Sequence, residues 1–283
     1  MLLAAACAWL LAASWARAQT VSPNFYITNG QVTAEVLRGN TLYLGGSFSF
    51  VGPVTGAGVP VDTTTALPTA GFPRVNGTVL TALPDGAGGW YIGGQFSAVG
   101  GVSRTNIARV LANNTVAAWN PSANGIVRTM VLRAGLLYVG GDFGVIGGAL
   151  RTRVAAISAT TGVATAWNPS ANSSVRAFAA GASVLFVGGQ FTSIGGQLRN
   201  RIAVLDYATG LADPLWDPNA SGPVLALALD PVAATLYVGG QFTSIGGQAR
   251  SRIAAISTVG SGLATSWNPN AGNIVSTMSL LGD

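Results

Sequence analysis

Residues 236–247 read LYVGGQFTSIGG, and residues 185–196 read LFVGGQFTSIGG. The same diglycine after an aliphatic/aromatic triplet recurs as Gly45-Gly46, Gly93-Gly94, Gly140-Gly141, Gly188-Gly189 and Gly239-Gly240. Successive first glycines are 48, 47, 48 and 51 residues apart. Working outward, a phenylalanine follows each pair at one offset: Phe48, Phe96, Phe143, Phe191 and Phe242. Trp119, Trp167, Trp216 and Trp267 keep the same beat and each opens a Trp-Asn/Asp-Pro turn, with Phe72-Pro73 standing in for it in the first repeat. Self-similarity at such a period marks a repeat architecture, and it decides the fold before any single residue does.

Within one period four short β-prone runs alternate with turn residues. In one unit they are 126–132, 137–139, 153–157 and 163–167, separated by Ala134-Gly135, Gly147-Gly148, Thr161-Gly162 and Asn168-Pro169. Runs this short, punctuated by Gly, Asn and Pro, make hairpins, and outside residues 1–18 no window carries an apolar stripe at helical spacing. Four strands in about 48 residues is one propeller blade. A parallel β-helix is the competitor, but its stacked coils would repeat at a fraction of this period. The expectation is an all-β β-propeller of four-stranded blades, about five of them in this chain, in an incomplete ring. Glycine pairs would permit close backbone approach, and the repeated Phe and Trp would fill the wedge between blades.

The repeats divide the chain into units of about 31–78, 79–125, 126–174, 175–223 and 224–273, with a partial unit at 274–283. First-strand patterns number six, against five diglycine strands. Residues 274–283 would therefore either close the ring against the first blade or lead into further sequence, and the spare strand favours the latter.

Composition narrows function by exclusion. The 283 residues include 39 glycines, 14 basic and 9 acidic residues, one cysteine and no histidine, and every basic residue is an arginine. Without histidine there is no Ser-His-Asp triad, no His-ligated metal and no imidazole acid/base catalyst; without lysine there is no Schiff base or phosphate-loop lysine. Residues 1–18 combine an apolar run with Ala16-Arg17-Ala18, which reads as a secretory signal peptide, followed by a leader at 19–30. Cleavage would remove Cys7, so the exported chain would have no disulfide. No membrane span is expected after that cleavage.

The arginines fall into register. Arg104, Arg151, Arg199 and Arg250 each lie 11 residues after the first glycine of their pair. Arg153, Arg201 and Arg252 lie two further on, where the earlier unit has Asn106. Two readings stand. The guanidinium groups bind carbonyls of neighbouring loops, or they form a basic rim for an anionic polymer. The acids fall at unequal repeat positions and read as turn residues; no catalytic set, metal site or cofactor is expected. Asp142 stands where other copies carry glutamine or serine, and reads as neutral variation.

The succession of LYVGGQFTSIGG, R-x-R-I-A, T-G and W-N-P-x-A resembles the secreted delta-60 repeat β-propeller family of bacteria. More loosely it is similar to kelch repeats and to the propeller of Rax2-type fungal surface proteins. The resemblance spans about residues 31–283; the first repeat departs from it, because Val51 to Thr65 lacks the glycine-arginine segment and a tryptophan. It implies an extracytoplasmic, mostly non-catalytic role, often inside larger proteins, and supplies no ligand set. The expected function is a secreted or cell-surface binding or scaffolding module. Its partner would be an extracellular polysaccharide or a protein, not nucleic acid. The alternative is the propeller portion of a carbohydrate-active enzyme or of a larger surface protein.

Overall fold

The computed structural model describes residues 26–28, 31–38, 41–47, 51–53, 64 and 71–280. The signal peptide read at 1–18 lies outside the described residues, as does most of the leader. The chain forms two compact units, Met1–Val54 and Thr55–Asp283. Among the described residues no helix is long and apolar enough to cross a membrane.

In the first unit, β1 (Tyr26–Thr28) pairs antiparallel with β4 (Val51–Pro53), and β2 (Val32–Arg38) with β3 (Thr41–Gly46). The second unit holds four consecutive blades. The first of them is one sheet of β5 (Val75–Pro84), β6 (Trp90–Val99), β7 (Val102–Ser103) and β8 (Ile107–Val110). The second blade is β9 (Val127–Arg133), β10 (Leu136–Gly141), the miniature hairpin β11 (Val145–Ile146) and β12 (Ala149–Leu150), and β13 (Val154–Ser158). The third repeats it with β14 (Val175–Ala180), β15 (Val184–Gly189), β16 (Ser193–Ile194), β17 (Gln197–Leu198) and β18 (Ile202–Asp206). The fourth has β19 (Val224–Asp230), β20 (Thr235–Gly240), β21 (Ser244–Ile245), β22 (Gln248–Ala249) and β23 (Ile253–Ser257). In every blade the diglycine strand is central, paired antiparallel with the strand before it and the strand after its hairpin.

The fourth run of each unit is slighter than its sequence suggests. Residues 163–167 touch β13 through one bridge, Ile157 to Ala164, and the equivalents are Val110–Val116, Leu205–Ala212 and Ile256–Ala264. The run is squeezed between Gly162 (φ +77°) and Asn168-Pro169. Within that span the chain must also turn the Trp167 indole toward the following blade, so no room remains for a longer ladder.

Each glycine pair has its own cause. At Gly140 an added Cβ would lie 2.5 Å from Val175 of the next blade, whereas at Gly141 it would lie 2.0 Å from the carbonyl oxygen of Ile126 in its own blade. The first glycine therefore admits a neighbouring blade, and the second admits its own first strand. The later pair Gly147-Gly148 serves conformation, and Gly147 also admits the backbone of Gly162 and Ala164, which an added Cβ would meet at 2.6–2.7 Å. The pair's φ angles of +60° and +78° make the tight two-residue turn between β11 and β12.

The core lies between blades. One buried cluster joins Tyr91 and Ile107 to Val127 and Leu137 of the following blade; another joins Tyr138 and Val154 to Leu185 and Leu205. A third joins Phe186 and Val204 to Leu236 and Ile256. Phe143, Phe191 and Phe242 are buried completely, each contributing about 1.5–3 kcal/mol of apolar burial. Contacts between blades run through the first strands: β5 packs on β9, β9 on β14, and β14 on β19. These strands form the inner edge from which the blades fan out.

The tryptophans fasten one blade to the next. Trp119 donates its indole N–H to the Ser158 carbonyl at 3.1 Å, Trp167 to Asp206 at 3.0 Å and Trp216 to Ser257 at 3.0 Å. Each ring also stands edge-on to an aromatic of its own blade, as in Tyr138–Trp167 at 5.1 Å and 87°. Trp267 keeps the intrablade contact with Tyr237 but is 41% exposed, against 2–7% for the other three.

Candidate functional site on the inner edge

The first strand of every blade carries a β-bulge opposite its diglycine. Val127 pairs with Gly141 and Thr129 with Gly140, leaving Arg128 as the extra residue. The same irregularity leaves Leu80, Arg176 and Leu225 unpaired in the other blades, and Thr33 in the first unit. A bulged residue is released from the ladder and its side chain is re-aimed. Leu80, Arg128, Arg176 and Leu225 thus form one row of equivalent positions, one per blade. Next to them come the residues that follow each diglycine, namely Gln95, Asp142, Gln190 and Gln241.

Two blades put charge there. Asp142 Oδ2 accepts from Arg128 Nε at 2.9 Å and Nη2 at 2.5 Å, and Asp142 Oδ1 accepts from the Ser174 hydroxyl. Arg176 Nη2 donates to Gln190 Oε1 at a loose 3.3 Å, and Arg176 Nε is buried with no hydrogen-bond partner. Burial pushes the Asp142 carboxyl up. The hydrogen bonds from Arg128 and Ser174, with the charges of Arg128 and Arg176, outweigh that and hold it below its ordinary range. Burial lowers the Arg176 guanidinium, and the Arg128 charge lowers it further, against the pull of Asp142. The cluster holds two cations and one anion.

The seven arginines singled out by register lie elsewhere. Arg104, Arg151, Arg199 and Arg250 each donate Nη1 to the carbonyl of the preceding residue and Nη2 to a carbonyl ahead of the tryptophan turn. Those second acceptors are Ala117, Thr165, Asp213 and Thr265. These side chains tie the small hairpin to the outer edge of its blade, and Arg104 and Arg199 are buried. Arg153, Arg201 and Arg252 hold left-handed backbones (φ +67°, +66° and +63°), as Asn106 does at +64°. Arg201 and Arg252 donate Nη1 to Ala220 and Ala271 at 3.1 Å, and Asn106 reaches the equivalent Ala123 carbonyl with its amide at 3.0 Å. A short residue that tolerates φ > 0 thus makes the same link as the arginines. Arg153 hydrogen-bonds through its backbone, to Phe143 and Gly141, but its guanidinium makes no hydrogen bond among the described residues.

The acids mostly serve turns. Asp85 accepts from the backbone N–H groups of Ala87 and Gly89 and from Arg109 Nε. Asp206 accepts from Ala208 and Thr209, Asp213 from Leu215, and Asp230 from Val232 and Ala233. Among the described residues no group of three or more Asp, Glu, Cys or His side chains is placed to hold a metal. Two equivalent clefts of about 520 and 510 Å³ lie where a Trp-Asx-Pro turn meets the next blade's small hairpin, one at Asp217 and Gln248, the other at Asn168 and Gln197.

Sequence reasoning passed over Arg128, Arg176 and the pairing role of Asp142. The available signal was positional. Arg128 and Arg176 each directly follow the valine that packs on the preceding blade's first glycine, and Asp142 directly follows a diglycine.

Repeated antiparallel blades, fanned from their first strands and joined by tryptophan links, define a β-propeller domain. Residues 88–116 match the family model described as "Domain of unknown function (DUF5122) beta-propeller". No curated protein matches the chain. Among solved structures the chain is similar to the computationally designed Ika8 protein, with 12% identity and a TM-score of 0.45 over 87% of this chain and 74% of that one.

Proposed function

We propose that this β-propeller is an exported, non-catalytic module, secreted or held at the cell surface, that binds an acidic glycan or a protein through its inner edge. One observation carries the reading. The side chains that recur at equal spacing, Arg153 and Trp267 apart, are engaged in joining strands and blades, whereas the bulge row varies from Leu80 to Arg128 to Arg176 to Leu225 and gathers unbalanced charge. A scaffold repeated for stability, with one variable position per blade on a shared edge, suits recognition. Four acids spent on turns and the lack of histidine support a role without catalysis. An anion at Arg151, Arg199 or Arg250 would have to displace carbonyl acceptors already in place. The likeness of the repeats to delta-60 propellers supports export.

Expression in a secreting host, with amino-terminal sequencing of the external product, tests localisation; a product starting at Gln19 is expected. Glycan-array and pull-down binding by that product tests the module. Retention in the cytoplasm would defeat the first half of the reading, and absence of any partner would defeat the second.

A further inference from the structure

We propose that Arg176, seconded by Arg128, forms a single-oxyanion site on the inner edge, suited to one carboxylate or sulfate group of an otherwise neutral glycan. This rests on the reading of the propeller as a binding module and names the ligand class of the same site.

Asp142 is the one acid bonded to Arg128, through one oxygen, while its other oxygen is taken by Ser174. Arg176 is left with a loose bond from Nη2 to a neutral amide and none from Nη1 among the described residues, while its Nε is buried without an acceptor and out of a ligand's reach. Its planar fork is therefore the unmatched part of the cluster. Guanidinium groups recognise carboxylate and sulfate in just such paired-donor geometry. The four arginines of the outer hairpins also leave a buried Nε without a partner, but both of their terminal nitrogens are committed to carbonyls. Arg176 is different because it has donors to spare.

The flanks limit the ligand. In the blades on either side the bulge residues are Leu80 and Leu225, so the row reads Leu, Arg, Arg, Leu. One net positive charge between two apolar positions matches an isolated acidic group, not a run of them. Gln95, Gln190 and Gln241 are exposed beside this row, one in each of three blades. Amides supply both donors and acceptors, the complement of sugar hydroxyls. An acidic sugar at the centre with neutral sugars on either side fits this sequence of side chains.

The test is calorimetric titration of the full chain with three probes of matched length: an oligosaccharide bearing one uronic acid, the same oligosaccharide bearing one sulfate ester, and the neutral parent. Inorganic sulfate alone is a fourth probe. The expected result is binding of an acidic probe at least ten times tighter than the neutral one. Arg176→Gln should weaken it at least tenfold, Arg176→Lys should recover part of the loss, and the unfolding midpoint should not change. The ratio of carboxylate to sulfate affinity identifies which oxyanion the site takes. If acidic probes bind but Arg176→Gln leaves the affinity unchanged, this site assignment is overturned while the module reading stands. If only inorganic sulfate binds, in an Arg176-dependent manner, the oxyanion site stands and its glycan ligand is refuted. If no probe binds, the inference fails outright; binding of another partner in the pull-down would still sustain the module.

Discussion

Replacing the four repeat tryptophans one at a time by phenylalanine separates the link between blades from the packing within them. Phenylalanine keeps an aromatic ring beside Tyr91, Tyr138, Phe186 or Tyr237, and removes only the indole N–H and part of the bicycle. At Trp216, which is 2% exposed, the change deletes the 3.0 Å bond to the Ser257 carbonyl. Leaving the part-buried Ser257 carbonyl without this donor costs about 1–3 kcal/mol. The lost ring atoms add about 1 kcal/mol. Trp216→Phe should therefore destabilise by about 3 kcal/mol; Trp119→Phe and Trp167→Phe should cost about 2 kcal/mol, because the Ser158 and Asp206 carbonyls still accept from the backbone N–H groups of Gly162 and Gly210. Trp267 has no such acceptor among the described residues and is 41% exposed, so Trp267→Phe should cost less than about 1 kcal/mol. Guanidinium unfolding followed by circular dichroism, which does not depend on the fluorophore being removed, measures all four. Equal losses at Trp216 and Trp267 would refute the claim that the indole N–H carries the link.

Three further outcomes follow from the geometry. Gly141→Ala should destabilise by about 3 kcal/mol or more, because its Cβ meets a backbone carbonyl at 2.0 Å, whereas Gly148→Ala faces open space and only the strain of φ +78°, about 1–2 kcal/mol; thermal midpoints compare them. Asp85 is raised by burial but lowered further by the N–H groups of Ala87 and Gly89 and by Arg109, to a net position below 3.8, so its contribution is complete above pH 3.8 and fades as pH falls through the lower folded value. The stability gap between the protein and Asp85→Asn, read by urea titration, should thus be widest near neutrality and close in strong acid. Arg199→Ala should lower the unfolding free energy, read by urea titration, by about 2 kcal/mol or more, since the Leu198 and Asp213 carbonyls lose their donor, and glycan affinity should change little.

The fold was legible because its determinants are covalent spacings. A diglycine at a period of 47–51 residues and a tryptophan at 48–51 define the blade without any knowledge of contacts. The fourth run was over-read: residues 163–167 have strand-like composition, but Gly162 and Pro169 leave them one bridge. The candidate site was hidden for a different reason. The register that exposed Arg151 and its equivalents selects residues the blade needs in every copy, and such residues face the blade's own carbonyl groups. Arg128 and Arg176 recur in only two copies. Their significance depends on a bulge that pairing creates and on Asp142, 14 residues from Arg128 in sequence and bonded to it across a hairpin.

The tryptophan link has a direction. Donor and acceptor sit on opposite sides of each blade, so the surface that gives cannot pair with itself. Such a contact is heterologous, and a two-fold dimer cannot be built from it; it only adds blades head to tail. In every link the next blade presents the equivalent carbonyl to the indole N–H, at 3.0–3.1 Å, whatever its position in the series. The chemistry therefore specifies order and handedness of addition but contains no counter. How many blades make a circuit must be set by wedge angle, through the bulk of residues such as Phe143 and Phe191 where the blades meet. Changing the size of those side chains is the route by which a propeller of this kind would gain or lose a blade.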